Sequence, residues 1–428
     1  MMLSKNNKDL IIGVIGLGYV GLPLAIEFGK KFKTIGFDIK KERIKNLSLS
    51  IDTTSEVNKV NFKKAKHLKF SNNSYDLNNC NIYIITVPTP IYKNKKPDLR
   101  YIKKASVIAG KFLKKNDIVI YESTVYPGLT EEVCVPILIN ESNLKYNKDF
   151  FCGYSPERIN PGDKKYNIKN IIKVVAGSNK ATTIKIKNLY KSIINAGIFV
   201  AKDIKTAEAA KVIENTQRDI NIALVNEIAL ICKKLDIKSK DVFKAASTKW
   251  NFLNFKPGIV GGHCIGVDPY YLTYKANLVG FNPKMILSGR ALNDSMPKYI
   301  FKEIKKIMLG KKISIRNAKV LILGLTFKEN CNDVRNTKVF EIGNHFIKSG
   351  AIINYYDPWV LKKDLNNLNK KRLINIIPNN YYDCIIIAVA HNEFKKYSVK
   401  SLKKMCKTNN VIYDIKNFLK DNIVDGQL

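Results

Sequence analysis

The chain has 428 residues, 45% of them hydrophobic and 25% charged, which is typical of a globular protein with two or three domains. Its formal net charge of +37 at pH 7 raises the hypothesis of a nucleic-acid partner. Its lysines are spread along the whole length, without an arginine-rich arm, so we predict no nucleic-acid partner and some attraction for anionic small molecules. The eight cysteines form no CxxC pair and only four histidines occur, so we predict no metal site and a reduced, cytoplasmic protein. Glycines interrupt the first apolar run, and no later run is long enough to predict a membrane span.

The first part of the chain alternates short apolar runs with amphipathic stretches, a rhythm that predicts βαβ units and a parallel sheet. Near-continuous apolar runs are typical of strands that are buried on both faces. Four such runs are strand candidates: residues 10–16, 33–38, 81–88 and 117–124.

Residues 206–235 contain neither glycine nor proline, and their apolar positions recur at helical spacing, which predicts one long helix that joins two domains or packs on a second subunit. Strand candidates then return at residues 318–327, 351–358 and 382–390. The predicted fold is therefore α/β, with two Rossmann-like doubly wound domains joined by a long central helix and a helical dimerisation region. The predicted domains are residues 1–200, 201–298 and 299–428.

A glycine-rich turn follows the first strand candidate and precedes a helical stretch. It reads Gly16, Leu17, Gly18, Tyr19, Val20 and Gly21, and it fits the pattern G-x-G-x-x-G of dinucleotide-binding turns. Asp38 ends the second strand candidate, where a carboxylate would accept the ribose hydroxyls of NAD and repel the extra phosphate of NADP. Arg43 either lies over the adenine or pairs on the surface, and the sequence leaves both interpretations open.

Cys264 stands among glycines and is followed by Asp268. A free cysteine, taken singly, is more often a small buried residue than a nucleophile. Lys211 and Asn215 lie one turn apart on the predicted long helix, and Thr124 follows the fourth strand candidate. Together these groups suit a thiol that attacks an aldehyde, a lysine and an amide that stabilise the oxyanion, and an aspartate that orders water.

Seven segments in order along nearly the whole chain resemble the nucleotide-sugar 6-dehydrogenases, the UDP-glucose/GDP-mannose dehydrogenase family. These segments are GVIGLGYVGLPLA, ITVPTP, ESTVYPG, GYSPERINPGD, AEAAKVIENTQRDINIALVNE, PGIVGGHCIGVDPYYL and LGLTFKENCNDVRNT. The resemblance implies NAD-dependent oxidation of C6 of a UDP-sugar from alcohol to carboxylate, with two NAD per sugar. It also implies two Rossmann-like domains and a homodimer or higher homo-oligomer built on the long helix.

Carried onto this sequence, the resemblance makes Cys264 the nucleophile and Asp268 the residue that orients water. It assigns Lys211 and Asn215 to the oxyanion and places Thr124 near the nicotinamide. The further residues that it implies bind substrate or cofactor. They are Glu157, Arg158, Ile159, Arg218, Gly261, Phe327 and Lys328 for the sugar nucleotide, and Thr89 and Arg335 for NAD. Glu157 is also a catalytic candidate, as Thr124 is.

Two positions depart from the UDP-glucose branch of the family. Val267 stands where that branch has a lysine, and Pro161 stands where it has a second loop glutamate, which leaves the general base open. The pattern looks instead like the UDP-N-acetylglucosamine and UDP-N-acetylgalactosamine 6-dehydrogenases of surface-polysaccharide synthesis. UDP-glucose and UDP-N-acetylmannosamine remain alternatives. A different class, a non-catalytic dinucleotide- or nucleic-acid-binding protein, is expected only if no UDP-sugar is oxidised.

Overall fold

The computed structural model describes residues 10–54, 56–158, 168–417, 419 and 424–428. The chain divides into two compact units. Unit 1 comprises Met1–Glu214 and Tyr270–Asn282, and unit 2 comprises Asn215–Pro269 and Pro283–Leu428. The three-domain division drawn from the sequence stays a prediction.

Unit 1 is built on an eight-stranded sheet in the order β3-β2-β1-β4-β5-β6-β7-β8. Its strands are β1 (Ile11–Ile15), β2 (Lys33–Phe37), β3 (Leu68–Ser71), β4 (Ile82–Ile85), β5 (Ile118–Tyr121), β6 (Phe151–Tyr154), β7 (Lys173–Gly177) and β8 (Ile198–Val200). The order reverses next to β1, which creates the switch point where ligands bind in doubly wound sheets.

Six helices accompany this sheet. They are α1 (Gly21–Gly29), α2 (Lys41–Ser48), α3 (Lys59–Lys64), α4 (Arg100–Gly110), α5 (Val135–Ser142) and α6 (Lys180–Lys191). Helix α1 buries Leu22, Ala25 and Phe28 in the same apolar cluster as Ile12 and Val14 of β1. Their spacing of three residues forms the apolar stripe of an amphipathic helix, and burial of this stripe fixes the helix that starts at the glycine-rich turn.

Helix α7 (Ile204–Lys234) begins in unit 1 and ends in unit 2, and α9 (Asp268–Leu278) crosses in the other direction. Unit 2 also contains α8 (Ser239–Ala246), α10 (Lys284–Gly310), α11 (Val339–Lys348), α12 (Asn367–Arg372) and α13 (Val399–Met405). Its sheet has the order β10-β9-β11-β12-β13. The strands are β9 (Lys319–Leu323), β10 (Ile352–Tyr356), β11 (Tyr382–Ile387), β12 (Cys406–Asp414) and β13 (Gly426–Gln427), and all described pairs are parallel.

The predicted α/β class with two Rossmann-like sheets is confirmed, as are the seven strand candidates and the long helix. The predicted parallel sheet of the first part is confirmed for six of its seven described strand pairs, and β6 and β7 alone among these pair in antiparallel fashion. A parallel pair needs a crossover, usually a helix, and the described residues between these strands contain none. No helix in the described ranges has the length and apolar character needed to cross a membrane.

Candidate active site

The glycine-rich turn of unit 1 has the geometry that close approach of a ligand requires. Gly16 adopts a left-handed conformation, with φ of +98°. A Cβ on Gly21 would lie 1.8 Å from the Gly16 carbonyl oxygen, whereas a Cβ on Gly18 would meet no atom within 4 Å. Tyr19 and Val20 complete the turn before α1, whose N-terminus offers free N–H groups and a partial positive charge to a pyrophosphate.

Asp38 follows β2 and reaches this turn. One oxygen of its half-buried carboxylate accepts a hydrogen bond from the Leu17 amide at 2.9 Å, and the other accepts one from the Lys40 amide at 2.9 Å. Arg43 braces the same turn, since its Nε donates to the Leu17 carbonyl at 2.9 Å and its Nη1 pairs with Asp52 at 2.9 Å. The turn and the carboxylate therefore fit a dinucleotide, and a role of Arg43 at the adenine stays a prediction.

Other predicted residues of unit 1 lie in loops at the carboxyl ends of strands. Thr89 follows β4, and Thr124 follows β5; both are half-buried. Glu157 follows β6, and its carboxylate lies 3.6 Å from the ammonium of Lys173. Arg158 pairs with Glu214 of α7 at 3.4 Å. Ile159, predicted to contact substrate, and Pro161 lie outside the described residues.

Glu208 in α7 is a buried carboxylate that the sequence analysis missed. It accepts hydrogen bonds from the Gly128 amide and, at 2.9 Å, from the Thr130 amide, in the segment that follows Thr124. Burial raises the pKa of Glu208 to about 7, against the opposing effect of those amides. The contact ties the helix that carries Lys211 to the loop that carries Thr124.

Glu208 makes stability depend on pH. Its folded pKa is raised, so the native state retains a proton that the unfolded chain releases, and its contribution to stability is lost as the pH rises from about 4.5 to about 7. We expect Glu208→Gln to remove this slope, which amounts to about 3 kcal/mol because one pKa unit corresponds to about 1.4 kcal/mol. Urea denaturation of both proteins across this range measures it, and parallel pH curves for the two would contradict it.

In unit 2, Cys264 differs from every other cysteine of the chain. The other seven thiols are buried, and Cys264 alone is partly exposed. Its carbonyl accepts hydrogen bonds from the amides of Val267 at 2.9 Å and Asp268 at 2.8 Å, so the segment makes a tight turn into α9. The apolar Val267 is buried within this turn. The turn thus presents the thiol at a surface while it buries the residues that follow.

Asp268 is 2% exposed and lies at the first position of α9. Its Oδ2 accepts a hydrogen bond of 2.5 Å from the side-chain amide of Asn215, so two predicted catalytic residues are in direct contact. Lys211 lies one turn before Asn215 on α7 and is also buried. Burial of Lys211 and Asn215 shows that they do not belong to a solvated helix face.

His263 precedes the thiol and was not predicted as a functional residue. Its Nδ1 lies 3.5 Å from Asp333, which in turn holds Arg335 through bonds of 2.9 and 2.6 Å. Burial alone would lower the pKa of His263. Asp333 and, to a smaller extent, Cys264 outweigh burial and raise this pKa to about 9. Arg335 opposes the increase, since its Nη2 lies 3.2 Å from His263 Nδ1. The two cations outweigh burial and lower the pKa of Asp333. Arg335, predicted to reach NAD, is thus anchored in unit 2.

Phe327 packs directly on the glycines before Cys264. A Cβ on Gly262 would lie 2.8 Å from the Phe327 ring, and one on Gly261 would lie 3.3 Å from the Phe327 Cβ. The Lys328 ammonium lies over the same ring, 5.9 Å from its centroid. The absence of a side chain at both glycines leaves room for Phe327, and the assignment of Gly261 to the sugar nucleotide stays a prediction.

The loop that carries Phe327 is held by a buried polar cluster at the ends of β9, β10 and β11. Asp357, which follows β10 as Asp38 follows β2, accepts hydrogen bonds from the Leu325 amide at 2.6 Å and from the His391 ring at 3.0 Å. The other nitrogen of His391 accepts from the Asn330 amide at 2.9 Å. Asp357 is thereby committed to the loop, unlike the half-buried Asp38.

A cavity of about 390 Å³ lies in unit 2 close to this loop. Its lining includes Lys256, Gly258, Glu329 and Lys416. Burial lowers the pKa of Lys416, which Glu329 opposes. The sequence analysis missed both lysines, although Lys416 follows the last long strand, at the sheet edge where ligands bind. Two lysines beside a single carboxylate make the cavity suited to an anion.

The long helices of unit 2 are fixed by a second polar network. The side-chain amide of Asn226 in α7 donates a hydrogen bond to the Gly258 carbonyl at 3.0 Å and accepts one from the Gly258 amide at 2.8 Å. These two bonds orient one wall of the cavity. Asp219 of α7 pairs with Arg290 of α10 at 2.6 Å, and both are buried. Arg218, predicted to contact substrate, is exposed on the same helix.

Comparison with known proteins identifies the family. The NAD binding domain of the UDP-glucose/GDP-mannose dehydrogenase family matches residues 10–194, its central domain matches 205–295, and its UDP binding domain matches 321–421. The chain belongs to this family. It is therefore an oxidoreductase, and its cofactor is NAD, in agreement with the geometry around Gly18 and Asp38.

Similar proteins share the whole length of the chain. A UDP-N-acetyl-D-glucosamine 6-dehydrogenase of Pseudomonas aeruginosa is 52% identical over 98% of this chain and 100% of its own. Another, of Salmonella typhi, is 49% identical over 96% of this chain and 97% of its own. The solved structure of a UDP-D-ManNAc dehydrogenase of Pyrococcus horikoshii has a TM-score of 0.87 and 30% identity, covering 97% of this chain and 98% of its own.

Proposed function

We propose that the protein oxidises C6 of a UDP-N-acetylhexosamine from alcohol to carboxylate and that the sugar is N-acetylglucosamine. The observation that carries the reaction is the partly exposed Cys264 in a turn whose Asp268 is hydrogen-bonded to Asn215. The choice of sugar is supported by relatives of 52% and 49% identity named UDP-N-acetyl-D-glucosamine 6-dehydrogenase, against 30% for the UDP-D-ManNAc dehydrogenase structure.

The side chains have distinct roles in this proposal. The glycine-rich turn and Asp38 would hold NAD, which would supply the oxidant for two successive two-electron oxidations at C6. Lys211 and Asn215 stabilise negative charge on the oxygen of C6. The Cys264 sulfur adds to the C6 aldehyde and later carries the sugar as a thioester. Asp268 orders the water that releases the carboxylate and regenerates the thiol.

We further propose that the cavity in unit 2 takes part of the UDP group. Lys256 and Lys416 supply positive charge for the diphosphate, and a nucleoside diphosphate needs such charge because its oxygens are ionised at neutral pH. Phe327 and Lys328, held by the Asp357 cluster, offer an aromatic face and a further cation to the sugar nucleotide. Glu157, Arg158 and Ile159 are the proposed sugar contacts of unit 1, and the Glu157 carboxylate is also a proposed catalytic group.

The proposed assembly is a cytoplasmic homodimer, or a higher homo-oligomer, that serves surface-polysaccharide synthesis. Helix α7 supports the assembly because Ile213, Leu224 and Ile231 are each about half exposed. Their spacings of 11 and 7 residues place them on one stripe of the helix. Such a stripe is suited to burial against a second copy.

One assay tests the reaction and the sugar together. We expect UDP-N-acetylglucosamine to yield two NADH per uronate, with kcat/KM about tenfold or more above that of UDP-glucose, because a pocket shaped for the acetamido group loses contacts with a hydroxyl. UDP-N-acetylgalactosamine and UDP-N-acetylmannosamine complete the panel. A preference for either of these would change the assigned sugar, and no NADH from any of the four would contradict the proposed function.

A further inference from the structure

Three side chains, those of Lys173, Glu122 and Tyr190, form a buried polar network next to the loop that carries Glu157. Lys173 belongs to β7, Glu122 directly follows β5, and Tyr190 lies in α6. The side chain of Lys173 is 5% exposed, and that of Glu122 is 0% exposed. The network therefore joins α6 to β5 and β7, the two strands that flank β6 in the sheet of unit 1.

Lys173 is the centre of this network. Its ammonium donates to Glu122 Oε2 at 2.6 Å and to the Pro156 carbonyl at 3.2 Å, and it lies 3.6 Å from Glu157 Oε2. It also lies 5.3 Å from the centroid of the Tyr190 ring. The Tyr190 hydroxyl donates to the other oxygen of Glu122. One ammonium thus contacts the backbone and the side chain of the Glu157 loop.

The charges explain why this lysine stays ionised. Burial alone would lower the pKa of Lys173, but the attraction of Glu122 and Glu157 raises it. Burial raises the pKa of Glu122, which Lys173 and Tyr190 oppose. Stability does not require such an ion pair, since well-packed apolar side chains fill buried space at least as well. A function in the placement of Glu157 accounts for the network better.

We propose that Lys173 is a positioning residue for the oxidation: it ties Pro156 and Glu157 to Glu122, and so fixes the Glu157 carboxylate relative to Thr124, which lies two residues after Glu122. This inference rests on the proposed function. It makes β7 part of the catalytic support although no residue of β7 was predicted to touch substrate.

The test compares variants that differ in the charge at position 173. Lys173→Gln is expected to lower kcat with UDP-N-acetylglucosamine about 100-fold, the scale for misplacing a catalytic group by 1 Å, with KM little changed. Lys173→Arg keeps the charge and is expected to recover most of kcat. The proposal would be overturned if the kcat of Lys173→Gln equalled that of the wild type. It would also be overturned if the kcat of Lys173→Arg were as low as that of Lys173→Gln.

Two further variants separate positioning from folding. Tyr83→Phe keeps the ring and removes hydrogen bonds to the Cys80 carbonyl at 3.0 Å and the Phe112 carbonyl at 2.9 Å, outside this network, so it is expected to lower the Tm while kcat stays near that of the wild type. An equal loss of kcat in Tyr83→Phe and Lys173→Gln would overturn the proposal. If Lys173→Gln does not fold, the double variant Glu122→Gln/Lys173→Met, which removes both buried charges, replaces it and is expected to fold and to be slow. Wild-type kcat in that double variant would likewise refute positioning.

The wild-type protein in the same assay separates this inference from the proposed function. If the wild type oxidises no UDP-sugar, the proposed function fails, and hydrogen exchange of a peptide covering residues 155–158 decides the inference instead. Faster exchange of this peptide in Lys173→Gln than in the wild type supports an anchored loop. Equal exchange refutes it.

Discussion

Replacing Cys264 by serine is expected to abolish uronate formation from UDP-N-acetylglucosamine. A serine hydroxyl is a far weaker nucleophile than a thiol at neutral pH, so the second oxidation loses its covalent intermediate. We expect the rate of uronate formation to fall by about 10³-fold or more, the scale observed when a covalent nucleophile is removed. Oxidation of the alcohol to the aldehyde does not require the thiol, so traces of aldehyde are expected. Mass spectrometry of the products, with NADH absorbance, measures both.

The chain provides its own control for this experiment. Cys232 lies in α7 and is 3% exposed, whereas Cys264 is partly exposed. Cys232→Ala is expected to leave uronate formation near the wild-type rate, because a buried thiol away from the turn has only a packing role. Full uronate turnover by Cys264→Ser would contradict the assignment of the nucleophile. A loss in Cys232→Ala equal to that in Cys264→Ser would point to general damage by cysteine replacement.

Features that depend on neighbouring residues were predictable from the sequence. The glycine-rich turn is one of these, because its residues, the strand before it and the helix after it are contiguous, and the position of Asp38 follows from the length of one βαβ unit. The helical spacing of the apolar positions in residues 206–235 likewise predicted a long helix. Strands such as β8, with three residues, carry too few positions for any period to be recognised.

Features that depend on distant residues were not predictable. Lys173 pairs with Glu122 across 51 positions, and Arg290 pairs with Asp219 across 71, so neither charge identifies its partner in one sequence. Cys264 is an intermediate case. Its residue type favoured a buried thiol, and only the resemblance reversed that interpretation before the structure gave its exposure. The residue type indicates which chemistry a side chain is capable of, but its contacts with residues distant in sequence become known only from the fold.

The second large expected effect concerns the stability of unit 2. Arg290 is 2% exposed and Asp219 is fully buried, and their charged atoms lie 2.6 Å apart. Asn293 also donates to Asp219 at 2.9 Å, and Asp294 accepts from Arg290 at 2.6 Å. Burial raises the pKa of Asp219, which Arg290 opposes. Removal of the guanidinium would therefore leave a buried carboxylate without its countercharge.

Arg290→Leu is accordingly expected to lower the free energy of unfolding by about 3–5 kcal/mol, the cost of breaking one side of a buried ion pair. The double variant Asp219→Leu/Arg290→Met removes both charges and is expected to recover much of this loss, because apolar side chains can replace such a pair. Lys407→Ala breaks a partly exposed pair with Asp383, 2.8 Å apart, and is the matched control, with an expected cost below about 1 kcal/mol. Urea denaturation of the four proteins measures these differences. If Arg290→Leu lost no more stability than Lys407→Ala, the Asp219–Arg290 ion pair would not be the contact that holds α7 to α10. The hydrogen bonds between Asn226 and Gly258 would then have to orient the cavity wall without support from this ion pair.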